Sequence, residues 1–531
     1  MSFRFHLSFV LLLAAALCAG PLDGARAFDL AIDAKLPPSQ AVAVPAPPAQ
    51  IDAAVNRLDE LASAIMTKSG IPGMSVAVVR GGKAVYAKGF GVRKLGEDGK
   101  VDADTVFQLA SLSKPVGASV VAAQVGRGVV TWDDPVAKYL PGFALSDKAV
   151  SRLVTIGDLY AHRSGLPDHA GDDLEYLDYP REDVLKRLRY LPLAPFRASY
   201  AYTNFGLTAA AEAVAKASQL DWATLSDRVL YLPLGMNRTS SRHEDFINRD
   251  NHAVNHAMID GKYQPRFERD PDEQSPAGGV SSSANDMAKW MAMVLANGLH
   301  DGKPLIDKAA LLPALSPQAI SAPPSDASER AGFYGYGMNV GVAPSGRVVL
   351  SHSGAFLLGA ATCVTMIPSL DLGIVVLSNA APTGAVETLC AEFADLAQFG
   401  TVTRDWYAGY GARFAPMFKP FGSLVGKTPP AKPKAPAAAE LYKGIYVNKY
   451  YGDAVVVRKD GKLLLLLGNE AGKAFPLRHW DGDTFTIDLD GEDAPQGSVS
   501  MVTFKRARGK AKSLQVEYFA ADLAKGVFKR E

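Results

Sequence analysis

The stretch FQLASLSKPVGAS, residues 107–119, has the pattern of a helix start, with a proline at position 115. Proline has no N–H to donate to the carbonyl four residues earlier, so it disrupts a helix interior but is tolerated in the first turn. The helix is therefore predicted to begin at or just after Ser111. This start places the Ser111 hydroxyl at the positive end of the helix dipole, with Lys114 one turn away on the same face.

The composition is that of a folded globular protein. The chain has 531 residues, 48% hydrophobic and 21% charged, and this length allows two or three domains with their own cores. The formal net charge of +1 gives no extended basic surface, so we expect no nucleic acid as a partner. Cys363 and Cys390 are expected to be buried free thiols, although the sequence leaves open whether they pair.

Residues 1–27 have the features of a secretory signal peptide. Arg4 precedes a short apolar run, and Ala25-Arg26-Ala27 has the spacing of a cleavage site. The run is too short to cross a bilayer comfortably, which favours a cleaved signal over an uncleaved anchor. We therefore expect an exported protein, periplasmic or secreted, with no stable membrane span after cleavage.

Composition divides the rest of the chain into two folded units. Residues 28–50 form a Pro/Ala-rich tether, and the main unit is predicted over residues 51–400. Residues 401–439 contain a connecting segment and a second Pro/Ala-rich linker, which lead to a unit over residues 440–531. Short alternating runs separated by Asp-Gly turns predict that this second unit is an all-β barrel or sandwich.

Three patterns predict elements of the main unit. Apolar residues recur at helical spacing over residues 51–70, a stretch that ends in a glycine. Residues 74–92 alternate and break at Gly81-Gly82, which predicts a β-hairpin. Apolar runs between residues 347 and 379 predict further strands.

Ser111 and Lys114 form an S-x-x-K motif, which places a basic group beside a hydroxyl on one helix face. A serine hydroxyl is a poor nucleophile until a neighbouring base takes its proton. This pattern is a nucleophile signature in some acyl-transfer enzymes. Alone it is a weak signal, because serine and lysine are common and the lysine could simply lie on a helix surface.

Two further motifs follow in order. Tyr202-x-Asn204 supplies a phenol that could accept or relay a proton if Lys114 lowered its pKa, and an amide that could hold a substrate carbonyl. His352-Ser353-Gly354 follows a predicted strand, where glycine allows a close approach to the backbone.

These three motifs, in this order, resemble those of the serine β-lactamase-related family, which contains class C β-lactamases, penicillin-binding-protein-like D-peptidases and related esterases. The resemblance covers about residues 51–400 and includes the segments TVFQLASLSKP, DLYAHRSGLP, PAGGVSSSANDMAKWM and SHSG. The segment YKGIYVNKYYG resembles a C-terminal β domain appended to some members. The resemblance implies an α/β (α+β) serine β-lactamase-like fold, in which an antiparallel sheet is flanked by helices and joined to a helical region, followed by an all-β barrel-like domain.

The resemblance also implies roles for individual residues. Ser111 would be the acylated nucleophile, and Lys114 and Tyr202 would share its proton and later activate water. The backbone N–H groups of Ser111 and Ala355 would form the oxyanion hole. The substrate-binding positions of the motifs correspond to Asn204, His352 and Gly354.

One position departs from the family pattern. Many β-lactamases and transpeptidases have a lysine, which binds the substrate carboxylate, where this chain has His352. Histidine is mostly neutral above its unperturbed pKa of about 6.5, so strict recognition of a carboxylate is in doubt. The H-x-G variant is more similar to the peptidase and esterase branches.

The favoured function is an exported serine hydrolase that works through an acyl-enzyme on peptide-like amides, such as D-amino-acid peptides or β-lactams. The alternatives are a carboxylesterase of the same family and a catalytically silent sensor that is acylated without turnover. An intact set of Ser111, Lys114 and Tyr202 disfavours the silent alternative. The expected partner is a small-molecule or peptide substrate, no metal or cofactor is expected, and homo-oligomerisation is left open.

Other residues have a structural interpretation beside a functional one. His252 and His256 have metal-like spacing, but no third ligand is evident nearby, so a metal site is not favoured. The tripeptide beginning at His169 repeats the H-x-G pattern within polar loop sequence. The Tyr450-Tyr451 pair is expected to pack in a core rather than to form a lip that faces the substrate.

Overall fold

The computed structural model describes residues 42, 44–469 and 472–531. The predicted signal peptide and most of the first Pro/Ala-rich tether lie outside these residues.

The α-helices of the described residues, numbered in chain order, are α1 (Pro48–Asn56), α2 (Leu58–Ser69), α3 (Ser113–Gly126), α4 (Lys148–Leu153), α5 (Ile156–Tyr160), α6 (Asp172–Tyr176), α7 (Arg181–Arg187), α8 (Asn204–Ala217), α9 (Trp222–Ser226), α10 (His243–Ile247), α11 (Ser275–Gly278), α12 (Ala284–Leu295), α13 (Lys308–Leu311), α14 (Ala385–Phe399) and α15 (Trp406–Phe414). None of these helices is long and apolar enough to cross a membrane.

The β-strands of the described residues are β1 (Gly73–Arg80), β2 (Lys83–Gly91), β3 (Phe107–Gln108), β4 (Ala257–Ile259), β5 (Lys262–Gln264), β6 (Ser281–Ser282), β7 (Leu299–His300), β8 (Lys303–Pro304), β9 (Ala319–Ala322), β10 (Gly332–Tyr334), β11 (Asn339–Val342), β12 (Val348–Phe356), β13 (Ala360–Ile367), β14 (Leu372–Ser378), β15 (Gly444–Asn448), β16 (Gly452–Lys459), β17 (Lys462–Leu467), β18 (Lys473–Pro476), β19 (Arg478–Asp481), β20 (Thr484–Leu489), β21 (Ser498–Ala507), β22 (Lys510–Val516) and β23 (Val527–Arg530).

The main unit is built on an eight-stranded antiparallel sheet. Its strands lie in the order β2-β1-β14-β13-β12-β11-β10-β9. β1 and β2 form the predicted hairpin, and its turn residues Gly81 and Gly82 have φ values of 60° and 71°, which side chains disfavour. The strands predicted between residues 347 and 379 are β12, β13 and β14, which lie in the interior of the sheet.

Helices cover both faces of this sheet. α1, α2 and α14 pack on one face around buried residues such as Leu58, Val76 and Phe393. α12 packs on the other face, and α3, α5, α8 and α11 form a helical region beside it. Because both faces are covered, β1 and β14 are almost continuously buried. The predicted antiparallel sheet with flanking helices and a helical region is confirmed.

The helix predicted over residues 51–70 is two helices. α1 ends at Asn56 and α2 begins at Leu58, and between them the Arg57 N–H donates to the Ala54 carbonyl three residues back, at 3.2 Å. The apolar pattern continues across this break because both helices pack against the same face of the sheet. Gly70 ends α2 with a φ of 70°, as the sequence predicts.

The helix that follows Ser111 begins where the position of Pro115 in the sequence indicates. A 3₁₀ turn over Ala110–Leu112 leads into α3, so that Pro115 lies in the first helical turn. Ala110 has a φ of 48°, in the left-handed region that non-glycine residues rarely adopt. Strained backbone of this kind persists only where its surroundings enforce it, often at functional sites.

Cys363 on β13 and Cys390 on α14 are buried free thiols, as expected. Both belong to the core between the sheet and α14. Burial raises the pKa of the Cys390 thiol, which keeps it protonated and unreactive.

The C-terminal unit is a nine-stranded antiparallel sheet that nearly closes on itself. Its strands lie in the order β18-β17-β16-β15-β23-β22-β21-β20-β19. The two end strands follow one another in the chain, and β18 also contacts β20, so the sheet curls into a barrel. Buried side chains fill its interior, including Tyr446, Leu465, Ile487 and Phe504. The predicted all-β barrel-like domain is confirmed.

A buried polar contact joins the two units. The hydroxyls of Tyr450 and Tyr451 both donate to the Asp173 carboxylate, at 2.6 and 2.7 Å. Both tyrosines are fully buried, and Tyr179 of the main unit donates to the Tyr451 carbonyl at 2.8 Å. The tyrosine pair therefore packs at the interface between the units, and the packing interpretation is confirmed.

Gly354 of β12 lies against the turn that holds Ser111. A Cβ at this position would lie 2.2 Å from the Leu109 carbonyl oxygen and 3.0 Å from the Ser111 nitrogen. We expect Gly354→Ala to push the turn away from the sheet and to lower the free energy of unfolding by about 1–3 kcal/mol, the usual cost of overpacking. Thermal unfolding followed by circular dichroism measures this loss.

The matched control is Gly341→Ala on the neighbouring strand β11. A Cβ there would meet nothing closer than the Val349 carbonyl oxygen at 4.0 Å, so the melting temperature should stay near that of the wild type. Equal melting temperatures for Gly354→Ala and the wild type would contradict the close approach.

Candidate active site

Ser111 lies in the 3₁₀ turn before α3, next to the large sheet. Thr362 Oγ1 on β13 donates to the Leu109 carbonyl at 2.7 Å, which ties this turn to the sheet. β11 pairs with β12 only as far as Ser351, and the later residues of β12 pair only with β13. The free edge of β12 around Gly354 therefore faces Ser111, because the absence of a side chain lets the two backbones meet.

Lys114 is completely buried beneath Ser111. Its Nζ lies 3.0 Å from Ser111 Oγ and 2.7 Å from Asn204 Oδ1. A third contact, at 3.0 Å, is with the carbonyl oxygen of Ala277. A neutral amine has two hydrogens and one lone pair, which match the two oxygen acceptors and the one hydroxyl that can donate.

The environment of Lys114 changes its protonation. Burial lowers the pKa of this lysine to about 7, although the Asp172 carboxylate opposes the shift. Near neutral pH a large fraction of the amine is uncharged and can accept a proton from Ser111. An exposed lysine, with a pKa of about 10.4, would stay protonated. Position and protonation together allow Lys114 to act as a general base.

Tyr202 is hydrogen-bonded to Ser111, but its phenol stays protonated. Burial raises the pKa of its phenol, and a hydrogen bond with Ser111 offsets only part of that shift. Lys114 Nζ lies 4.5 Å from the centre of the Tyr202 ring, over its face. The condition for Tyr202 to accept a proton, a phenol pKa lowered by Lys114, is therefore not met. The neutral phenol can donate or relay a proton, but it is not a base at neutral pH.

A line of hydrogen bonds continues from Lys114 into the helical region. Asn204 Nδ2 donates to Asp172 Oδ2 at 2.9 Å, and His169 Nδ1 lies 2.7 Å from the same oxygen. The bond to Asp172 raises the pKa of His169 above its usual range, so this imidazole is protonated and donates. Asp172 thereby holds the Asn204 amide in the orientation that presents its oxygen to Lys114.

Sequence patterns alone do not indicate Asp172 or His169 as site residues, because both lie in polar loop sequence. The signal that could have found them is the run HAGDDLEY, in which three acidic residues follow Gly171. Gly171 has a φ of 98° and packs against Phe205, so a side chain would not fit there. The close packing at Gly171 shows that this loop is packed against the interior of the main unit.

His352 is buried below the site. Its Nε2 accepts a hydrogen bond from the Tyr334 hydroxyl at 2.8 Å, and its Nδ1 donates to the Ser353 carbonyl at 2.7 Å. Burial, together with the charge of Lys114, lowers the pKa of His352 to about 3, so the ring is neutral. Both ring nitrogens have protein partners, which leaves neither for a substrate carboxylate.

A cleft of about 800 Å³ opens above Ser111. Of the sequence-predicted site residues, Ser111, Tyr202, Asn204 and Ala355 line it, whereas the other predicted residues lie behind its surface. The opposite wall comes from the connecting segment and the C-terminal unit. The residues of this wall are Pro416, Met417, Lys419, Pro420, Phe421, Gly422, Glu492, Asp493, Pro495, Tyr518 and Ala521.

Glu492 joins the C-terminal unit to the strand that faces Ser111. Its two carboxylate oxygens accept the N–H groups of Leu357 and Leu358, at 2.6 and 3.2 Å. These residues directly follow β12, which carries Ala355. Burial raises the pKa of Glu492 to about 7. The C-terminal unit therefore contacts the end of the strand that is expected to supply an oxyanion-hole N–H.

The imidazole of His256 is used in backbone contacts. Its Nε2 accepts the Leu95 N–H at 3.0 Å, and its Nδ1 lies 3.1 Å from the Asn379 carbonyl. His252 Nδ1 contacts the carbonyl of Arg249. Within residues 44–469 and 472–531, no group of three or more His, Cys, Asp or Glu side chains could hold a metal ion.

Comparisons with known proteins give matches for both units. The family model described as "Beta-lactamase" matches residues 58–399, more than half of the chain. A second model, described as "Domain of unknown function (DUF3471)", matches residues 428–530.

Individual proteins resemble the chain over most of its length. Unguisins hydrolase ungD of Aspergillus violaceofuscus is 26% identical over 462 residues, which cover 78% of this chain and 80% of that protein. D-alanyl-D-alanine-carboxypeptidase/endopeptidase AmpH of Escherichia coli (strain K12) is 24% identical and covers 61% of this chain and 84% of its own. The octameric penicillin-binding protein homologue from Pyrococcus abyssi has a TM-score of 0.56 and 19% identity, over 90% of this chain and 100% of that chain. This last match is a likeness of fold.

We expect the rate of Ser111 acylation to rise with pH through about 7, because Lys114 must lose its proton before it can accept another. Lys114→Ala should lower the rate by about 10²–10⁴-fold and remove this pH dependence. Labelling by an uncharged fluorophosphonate over a series of pH values measures both.

The exposed Lys88, which pairs with Asp59, provides the control: Lys88→Ala should keep the wild-type rate and profile. Glu175 and Glu492 also have pKa values raised to about 7 by burial. A pH dependence that persists unchanged in Lys114→Ala would assign it to such carboxyl groups and contradict the role of Lys114.

Proposed function

The chain belongs to the β-lactamase family of serine hydrolases, and from this premise we propose that it is an exported hydrolase that forms an acyl-enzyme on Ser111. The proposed substrates are peptide-like amides, either D-amino-acid peptides or β-lactams. One observation carries the proposal. The Nζ of Lys114 lies 3.0 Å from Ser111 Oγ, in a buried position that lowers the lysine pKa to about 7.

In the proposed acylation, Lys114 accepts the Ser111 proton while Oγ attacks the carbonyl carbon of the substrate. The carbonyl oxygen becomes an oxyanion, which the backbone N–H groups of Ser111 and Ala355 stabilise. The C–N bond then breaks, the leaving nitrogen takes a proton through Lys114 or Tyr202, and the acyl group stays on Oγ as an ester.

Water completes the proposed cycle. Lys114 accepts a proton from a water molecule whose oxygen attacks the ester carbonyl. The bond between the carbonyl carbon and Ser111 Oγ breaks, Oγ regains a proton, and the acid leaves. One water is consumed for each amide bond, and the balance of atoms requires no redox partner.

A carboxylesterase is the second candidate. The buried, neutral His352 has both nitrogens occupied, so this position lacks the cation that in many β-lactamases and transpeptidases binds a substrate carboxylate. An ester requires the same nucleophile, base and oxyanion donors and no such cation. A silent sensor would share this geometry and would stop after acylation.

We further propose that residues 51–400 form the hydrolase domain and residues 440–531 a barrel-like domain, with residues 401–439 connecting them. In this proposal the barrel-like domain shapes the cleft and supplies neither nucleophile nor base. The contact of Glu492 with the end of β12 and the wall residues of the cleft support this division.

Export and self-association belong to the same proposal. The features of residues 1–27 support export through a cleaved signal peptide. Self-association is supported by a protein of the same fold, matching 90% of this chain, that is described as octameric. Light scattering of the purified protein measures its mass in solution.

Intact-protein mass spectrometry tests the acyl-enzyme. We expect exposure to penicillin, a D-amino-acid amide or a short-chain ester to add the mass of an acyl group to the wild type. Ser111→Ala should gain no mass, because the nucleophilic oxygen is gone. Ser63→Ala on α2, at an exposed serine, is the matched control and should be acylated like the wild type.

The time course separates the candidate functions. Continued product release after the first equivalent indicates an enzyme, whereas one equivalent that stays on the protein indicates a sensor. Turnover of the ester with no turnover of either amide favours the carboxylesterase. Undiminished labelling of Ser111→Ala would exclude Ser111 as the nucleophile.

A further inference from the structure

The segment that carries Tyr202 lacks the regular hydrogen bonds of a helix or a strand. Residues 199–203 lie between the turn at residues 196–198 and the start of α8, outside every described helix and strand. The position of the Tyr202 phenol, which is hydrogen-bonded to Ser111, therefore depends on contacts with other parts of the main unit.

His162 forms hydrogen bonds on both sides of Tyr202. The Ala201 N–H donates to the His162 carbonyl at 3.0 Å, and the Thr203 N–H donates to His162 Nδ1 at 3.2 Å. The carbonyl of Tyr202 itself accepts the His169 N–H at 2.7 Å. His162 thus holds the two residues that flank Tyr202, one through its backbone and the other through its side chain.

The imidazole of His162 also packs against the Tyr202 ring. The centres of these two rings lie 4.6 Å apart, and the His162 ring centre lies 5.0 Å from that of Tyr334 on β10. The Tyr334 hydroxyl donates to His352 on β12, so the His162 ring connects the Tyr202 phenol to the large sheet. Contact with both tyrosine rings restricts the orientation of the phenol relative to the sheet.

Only a neutral imidazole can accept the backbone N–H. Burial lowers the pKa of His162 well below its usual range, and the charge of Lys114 acts in the same direction. Because Nδ1 accepts the Thr203 N–H, the ring proton is on Nε2, which has no hydrogen-bond partner among the described residues. A buried N–H without a partner and the left-handed φ of 55° at His162 both cost free energy, and strained backbone of this kind clusters at functional sites.

We propose that His162 is a positioning residue that holds the Tyr202 phenol where it donates a proton to the leaving group of the substrate. This inference rests on the proposed acyl-enzyme function and assigns the proton of the leaving atom to Tyr202. As the C–N or C–O bond breaks, the phenol O–H proton moves to the leaving nitrogen or oxygen. In the same step the Lys114 ammonium returns to the phenol oxygen the proton that it accepted from Ser111, so both groups regain their starting forms.

The test compares two acetate esters that differ in their leaving group, on the full-length protein. p-Nitrophenyl acetate releases a stable phenolate that needs no proton, whereas the ethoxide of ethyl acetate must be protonated as it leaves. We expect His162→Phe, which keeps a ring and removes Nδ1, to lower kcat/KM for ethyl acetate by about 10²-fold, the effect of displacing a catalytic group by about 1 Å. The kcat/KM for p-nitrophenyl acetate should change by less than about threefold, because no proton donor is needed.

Two further variants separate positioning from a general loss of structure. His162→Asn keeps an acceptor at the δ position and tolerates a left-handed φ, so it should recover most of the activity on ethyl acetate. The matched control is His256→Phe, because His256 is also a buried imidazole that accepts a backbone N–H, from Leu95 at 3.0 Å, and it lies outside the lining of the cleft. This control should lower the melting temperature and leave the ratio of the two kcat/KM values unchanged.

A double variant tests whether His162 acts through the phenol. Tyr202→Phe should cause the same selective loss on ethyl acetate, and adding His162→Phe should slow the reaction no further, because both changes affect one proton transfer. Equal losses on the two esters, losses that multiply in the double variant, or a wild type that cleaves only p-nitrophenyl acetate would overturn the positioning role and leave the hydrolase proposal standing. Hydrolysis of p-nitrophenyl acetate that is unchanged in Ser111→Ala would overturn the hydrolase proposal and the positioning role with it.

Discussion

The removal of the Lys114 amino group from water is the constraint on which the site depends. An ammonium ion is costly to bury unless it is paired or loses its proton, and here burial lowers the pKa to about 7. The partners of Nζ come from three elements, which are the 3₁₀ turn before α3, the first residue of α8, and α11. The helical region must therefore be packed before Ser111 has a base beside it.

The position of Asn204 explains why the lysine is poised near neutrality. Burial favours the neutral amine, whereas the Asp172 carboxylate favours the ammonium. Asn204 lies between these two groups and bonds to both, so the carboxylate and the amine do not form a direct ion pair. A direct contact would stabilise the protonated form and raise the pKa of the lysine. Asp172 thus orients the neutral Asn204 amide, and the amide keeps the Asp172 charge out of direct contact with the Lys114 amine.

Patterns that repeat within a short stretch of chain could be predicted, and contacts made by the completed fold could not. The hairpin, the central strands and the helix start at Pro115 follow from local rules of spacing and hydrogen bonding. The break between α1 and α2 at Arg57 could not be predicted, because the apolar spacing continues across it. The raised pKa of Tyr202 depends on burial by distant elements. No local pattern links Glu492, which belongs to the other unit, to the backbone N–H groups that follow β12.

The barrel-like unit supports the site from two sides. Glu492 holds the residues that follow β12, and Tyr450 and Tyr451 hold Asp173 at the start of α6. Asp173 is adjacent to Asp172, so the contact that docks the unit also constrains the backbone of the carboxylate that orients Asn204. In the proposed mechanism this unit supplies neither nucleophile nor base, yet its contact with Asp173 can affect the geometry around Lys114. Residues that shape the site therefore come from both units, although the proposed nucleophile and base come from the main unit alone.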